Sequence, residues 1–159
     1  MKFLVDSMLG GLARWLRILG QDVVYESSTQ DNELLKMAEK ENMILLTKDG
    51  ELFRRAEARK VSSLLVVGDT EKERLAQISR TFGVSLDVAM TTTRCPECGS
   101  SLREVSKSNL ADKIPETSLT LYDRFWTCSG CGKAYWLGSH WKQIRDTLAE
   151  AKKIAGGSK

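Results

Sequence analysis

The chain has 159 residues, 42% hydrophobic and 28% charged, with a formal net charge of +3. That length and apolar content build one proper core and leave room for an appendage of roughly 50 to 60 residues. No apolar run approaches the roughly 18 residues of a membrane span, and a strand-like run begins at Lys2 with no signal-peptide pattern, so a cytoplasmic protein with no membrane role is expected.

Taken in chain order, the first apolar run is Phe3-Leu4-Val5, which stops at Asp6. Leu9, Leu12, Ala13, Leu16 and Leu19 then recur at spacings of three and four, the mark of a helix with one buried stripe, and Gly20 stops it. Val23-Val24-Tyr25 reads as a short strand, and Leu34, Leu35 and Ala38 mark a second helix over about 32–41. The run Ile44-Leu45-Leu46-Thr47 reaches Asp49, and Leu52, Phe53 and Ala56 mark a third helix. Leu64-Leu65-Val66-Val67 reaches Gly68-Asp69, and Leu75, Ile78 and Phe82 mark a fourth helix that ends at Gly83. The order βαβαβαβα predicts an α/β fold, a parallel sheet with helices on both faces joined by right-handed crossovers.

A polar joint at Thr91-Thr92-Thr93 precedes the only cysteine-bearing region, which divides the chain into expected domains at 1–90 and 91–159. The first carries 13 Lys and Arg against 14 Asp and Glu and the second 11 against 7, so the second is the better candidate for a polyanion, although a solvated surface fits the same charges. A last helix over about 139–154 puts Trp141, Ile144, Leu148 and Ala151 on one face, which needs something to pack on. The tail Gly156-Gly157-Ser158-Lys159 is not expected to pack.

Three apolar runs that each lead to an aspartate form a pattern. Buried parallel strands end on one edge of the sheet, and that carboxyl edge is where open α/β sheets bind ligands. Asp6, Asp49 and Asp69 would gather there, with Asp31 at the start of the second helix. Such acids repel one another unless a cation sits among them, and an oxygen-only set suits Mg²⁺ or Mn²⁺. Each of Asp6, Asp31 and Asp49 alone also fits a helix cap. Asp69 does not need that role, because Thr70 and Glu73 already form a capping box. Other chemistries on this fold are disfavoured. Asp6-Ser7-Met8-Leu9-Gly10-Gly11 lacks the G-x-G-x-x-G spacing, no P-loop is present, and Met8 stands where an aspartate-nucleophile phosphatase wants its second acid.

The four cysteines fall into two pairs of identical spacing, Cys95-Pro96-Glu97-Cys98-Gly99 and Cys128-Ser129-Gly130-Cys131-Gly132. Two C-x-x-C turns, each followed by a strain-relieving glycine, can direct four thiolates at one Zn²⁺. A cytoplasmic chain favours this over disulfides. Four thiolates close the site, which makes the zinc structural and leaves His140 unnecessary to it. The gap between the pairs is long for a ribbon, so residues 105–117 are read as an excursion. Trp126, Tyr135, Trp136 and Trp141 alternate with Arg124, Lys133, Lys142 and Arg145, a pattern that fits base stacking on RNA. A small ribbon also needs aromatics for a core, which is the better account of Trp126 and Trp136. Trp141 and His140 are the better candidates for substrate contact, with a hydrogen bond fastening the last helix as the alternative for His140.

The run FLVDSMLGGLARWLRILG, then DNELLKMA, ILLTKD and a cysteine ribbon ending in YWLGSHW, resembles the Mut-seven carboxy-terminal RNase domain family of PIN-like nucleases from residue 2 to about 145. The resemblance implies a PIN-like domain carrying a zinc ribbon, with ribonuclease activity. Its acidic motif falls on Asp6, Asp31 and Asp49, with Asp69 as a fourth. Gly11 and Gly50 depart from the family's pattern, which often has basic residues there. The expected function is hydrolysis of RNA phosphodiester bonds by one or two Mg²⁺ or Mn²⁺ ions held by these acids, with the zinc ribbon aiding RNA binding. Arg14 and Arg17, on the polar side of the first helix, would neutralise flanking phosphates, with a solvated face as the alternative. Asn32 would orient a carboxylate or simply start its helix. The competing readings are a non-catalytic RNA-binding or ribosome-associated adaptor and a nuclease for structured DNA, and a protein or ribosomal partner is left open.

Overall fold

Every strand of the first module has to bury both faces, which is why its strands are continuous apolar runs rather than alternating ones. The computed structural model, which describes residues 1–157, places β1 (Lys2–Val5), β2 (Asp22–Tyr25), β3 (Ile44–Thr47) and β4 (Ser63–Leu65) in one parallel sheet. The spatial order is β2-β1-β3-β4, with Leu4 opposite Val24 on one side and Leu45 on the other. Side chains alternate across the sheet. Phe3, Val5, Leu46 and Val66 face a core shared with α1 (Gly10–Ile18) and α4 (Glu71–Phe82). Leu4 and Leu45 face α2 (Asp31–Glu41) and α3 (Gly50–Ala58) through Leu34, Leu35, Leu52 and Ala56. The predicted α/β architecture with helices on both faces is therefore present.

Local signals set the helix ends. Gly83 takes the left-handed conformation at φ +74° and closes α4, which opens on the expected capping box: Thr70 Oγ1 accepts from the Glu73 N–H at 3.3 Å and donates to its carboxylate at 2.9 Å. A 3-10 turn (Ser7–Leu9) stands between Asp6 and α1.

The second module is an antiparallel sheet of β5 (Leu102–Val105), β6 (Phe125–Cys128) and β7 (Ala134–Tyr135). The expected excursion between β5 and β6 contains a 3-10 turn (Lys107–Leu110) and a short helix α5 (Glu116–Leu121). Leu110, Ile114 and Phe125 make a small core there, and Trp136 packs on Phe125 with ring centroids 6.1 Å apart.

The threonine joint is anchored to the end of α1. Thr93 Oγ1 donates to the Ile18 carbonyl at 2.9 Å and the Arg94 N–H to the Arg17 carbonyl at 2.9 Å. The last helix, α6 (Ser139–Gly157), runs back along α4. Its stripe of Ile144, Leu148 and Ala151 enters the core made by Leu75 and Ile78, and Lys72 pairs with Glu150 across the two helices. Gly156 and Gly157 continue α6, while Ser158 and Lys159, the rest of the expected tail, lie outside the described residues. No described helix is long and apolar enough to cross a membrane.

Candidate active site

The order β2-β1-β3-β4 reverses direction between β1 and β3, since β1 connects to one side and β2 crosses back to the other. Loops diverge at such a switch point and leave a crevice at the carboxyl ends of the two strands. Asp6 follows β1 and Asp49 follows β3, so the crevice lies between them. Asp6 is 5% exposed. Its carboxylate accepts from the Met8 N–H at 2.9 Å and, through the other oxygen, from the Thr47 hydroxyl. Thr47 Oγ1 also accepts the Asp49 N–H at 3.0 Å, so a single threonine links the two aspartates. Asp49 caps α3, with Oδ1 accepting from Glu51 at 2.9 Å and Leu52 at 3.3 Å. Both bonds fall on Oδ1. Each acid therefore serves the start of the element that follows it, and Asp49 Oδ2 takes no part in those bonds.

The other acids stand further out. Asp31 is the first residue of α2 and pairs with Arg55 at 3.7 Å. Arg55 also holds Asn32, which gives that residue a structural task. Asp69 is exposed between β4 and α4 and, as expected, takes no part in capping. Among the described residues no three carboxylates have oxygens within 4.8 Å of one another. Two residues escaped the sequence reading, Thr47 at the aspartate pair and Glu71 beside α1. Thr47 looked like the last residue of a strand. Glu71, which the sequence did not single out, opens α4; its Oε1 pairs with Arg74 at 2.8 Å while Oε2 is buried without a partner. A Cβ at Gly11 would come 3.0 Å from that carboxylate, so the glycine gives Glu71 its place against α1.

The basic residues of α1 separate. Arg14 is exposed and pairs with Glu97 at 3.7 Å, at a hollow of about 410 Å³ that Gly10 and Tyr25 also line. Arg17 corrects the expectation of a polar or solvated helix face. It is 8% exposed, and its guanidinium donates to the carbonyls of Val23 at 3.1 Å, Pro96 at 3.2 Å and Glu97 at 3.4 Å. Those bonds clamp the first cysteine turn to α1 and bury the guanidinium, whose Nε is left without a partner.

In the ribbon, Cys95, Cys98, Cys128 and Cys131 bring their sulfurs within 4.8 Å of one another, a group that can hold a metal ion. Gly99 and Gly132 follow the turns at φ +82° and +78°, the left-handed positions for which glycine is suited. The Gly130 and Cys131 N–H groups donate to Cys128 Sγ at 3.3 and 3.4 Å. Hydrogen bonds from the Ser100 side chain and backbone hold the Cys98 thiol down at about 6. Cys131 is pushed up to about 11, because its bond from the Lys133 backbone is outweighed by desolvation and by hydrogen bonds with the other cysteines. The Tyr135 hydroxyl lies 3.0 Å from Cys95 Sγ, which attaches that aromatic ring to the cluster.

His140 is exposed and outside the cysteine cluster. With Trp141 it lines an apolar cavity of about 500 Å³ between the modules. Trp126 is 3% exposed, with the Arg124 guanidinium 5.1 Å from its ring centroid, in keeping with a core role.

A family model described as the Mut7-C RNAse domain matches residues 1–148, so the chain belongs to that family. No curated protein and no solved structure matches it.

Proposed function

We propose that this member of the Mut7-C RNAse domain family is a metal-dependent ribonuclease that hydrolyses phosphodiester bonds at the edge formed by Asp6 and Asp49, with a zinc-holding ribbon that helps bind the RNA. The observation that carries this reading is the pairing of the two aspartates through Thr47 at the switch point between β1 and β3.

The donors fit a hard divalent ion. Mg²⁺ is commonly held by one or two carboxylates, with waters and substrate phosphates completing its shell. A linked pair is therefore sufficient, and Asp31 and Asp69 join as further carboxylates around the substrate. When bound, such an ion lowers the pKa of a coordinated water and neutralises phosphate charge. The protein residues supply the positioning. Thr47 and the Met8 N–H fix the Asp6 carboxylate, and the α3 N-terminus fixes Asp49 so that Oδ2 faces away from its capping bonds. Arg14, at the mouth of the hollow beside α1, is the cation placed for a flanking phosphate.

Four soft sulfur donors in a closed set suit Zn²⁺ in a structural role. All four positions are cysteines, which leaves none for water or substrate.

The test is cleavage of a labelled single-stranded RNA by the zinc-loaded protein with Mg²⁺ or Mn²⁺, beside Asp6→Asn with unchanged far-UV circular dichroism. The variant is expected to lose at least about a hundredfold in rate, roughly 2.7 kcal/mol of transition-state stabilisation. Equal cleavage by both proteins would sink the site. Binding without cleavage under either ion would replace the enzyme with an RNA-binding adaptor. Matched DNA oligonucleotides report the preferred sugar.

A further inference from the structure

We infer that the apolar cavity between the modules is a pocket for one unstacked nucleobase of the RNA, reached along α1 from the aspartate edge, an inference that rests on the ribonuclease reading. The cavity, about 500 Å³, lies in the size range of small-ligand sites. Its walls include Tyr122, Tyr135, Trp136 and Trp141, with His140 beside them. So many flat faces around one hollow are what single-stranded nucleic acid uses for sequence-tolerant stacking. Gly138 makes this possible: a Cβ there would come 2.9 Å from the Trp136 indole nitrogen. Leu121 lines the cavity and is 73% exposed, so an apolar residue is held in solvent where a base would cover it.

The cavity lining holds no Lys or Arg, which suits a neutral base, and the charge of the surrounding segment favours the phosphates of a polyanion. No acidic side chain lines the cavity, and the segment that builds most of it, residues 91–159, carries 11 Lys and Arg against 7 Asp and Glu. Arg145, one turn along α6 from Trp141, and Lys142 are exposed and without an ion pair among the described residues.

The placement supplies a track. The hollow beside Arg14 is lined by Gly10 and Tyr25, whose hydroxyl donates to the Ser7 carbonyl at 3.0 Å next to Asp6. Pro96 lines both that hollow and the aromatic cavity, and Ile18 at the far end of α1 lines the latter. A strand laid along α1, whose nine residues span about 14 Å, would run from the Asp6 end of that helix to the aromatic cavity that Ile18 lines. The cleaved bond then sits at a fixed offset from the pocketed base.

Binding of a fluorescein-labelled single-stranded RNA decamer to the zinc-loaded full chain, with no Mg²⁺ or Mn²⁺ added, tests this. Trp141→Ala is expected to weaken binding about fivefold to a hundredfold, as for one lost stacked base. Leu121 is exposed enough to change without disturbing the core, so Leu121→Glu should weaken binding and Leu121→Lys should tighten it. Decamers with one abasic nucleotide should bind the wild type less well at one position only, and that penalty should vanish in Trp141→Ala. Unchanged affinity in Trp141→Ala and both Leu121 variants would overturn the pocket, as would a wild-type dimer that Leu121→Glu dissociates with RNA affinity intact. The two readings fail separately. Asp6-dependent cleavage with Trp141-independent binding removes only the pocket; Trp141-dependent binding without any cleavage removes only the nuclease.

Discussion

The two candidate metal sites of this chain are built on opposite plans. In the ribbon, four sulfurs already converge within 4.8 Å on short turns, the first of which is also clamped to α1 by Arg17. At the sheet edge, three of the four candidate carboxylates are first structural groups: Asp6 holds a 3-10 turn, Asp49 caps α3 and Asp31 is paired with Arg55. A site that exists to fold the chain can gather all its donors at once. The candidate edge site, by contrast, builds its donors into separate local contacts.

Removing the ribbon's metal should therefore cost far more stability than removing the edge's. Cys128→Ser, or chelation of zinc, is expected to unfold residues 95–136 while most of the helical circular dichroism survives, since structural zinc is worth on the order of 10 kcal/mol in zinc-finger peptides. Mg²⁺ at ten times its dissociation constant should add only about 1.4 kcal/mol to thermal stability. Comparable melting shifts from the two metals would break the contrast.

Arg17→Leu sharpens it from the side. The substitution strips the carbonyls of Val23, Pro96 and Glu97 of their donor, at about 2–3 kcal/mol, and should lower the melting temperature by roughly 5–10 °C. Zinc should also be lost faster to chelator. Thr47→Val removes the link between the two aspartates at about 1–3 kcal/mol, and cleavage should fall with it, while Thr47→Ser restores both. Stability that drops while cleavage is untouched would mean that Thr47 serves the fold alone.

The smallest effect belongs to the ribbon surface. Hydrogen bonds from Arg124 hold the Glu104 carboxyl below the ordinary glutamate value. The pair therefore stabilises fully above the unfolded value of about 4.3, and its contribution is lost as pH falls through the lower folded value. Glu104→Gln should flatten that part of the acid limb of a stability profile and lower stability slightly at neutral pH, the difference from the wild type vanishing at acid pH.

Much of this arrangement was legible in the residues. Apolar runs ending in acids located the sheet edge, and the paired C-x-x-C-G turns located the ribbon together with its two left-handed glycines. What stayed hidden depends on contacts between segments distant in sequence. Arg17 reads as one more polar residue on a helix until Pro96 and Glu97, some eighty positions later, close over it. Thr47 reads as a strand residue because β-branched side chains suit strands, and its bridging role appears only once β1 and β3 are neighbours. The stripe on α6 announced burial but not its partner, α4.

That return of α6 to α4 means that the main core is discontinuous in sequence, formed by residues before the threonine joint and again after the ribbon. The ribbon is in effect an inserted loop whose two ends are fixed by the body that carries it. Because the entropy of closing a loop grows only logarithmically with its length, the stretch between β5 and β6 can lengthen or shorten at little cost to the host. Variation in length between related chains should collect there, while a chain cut at the joint would leave Leu75 and Ile78 without their cover.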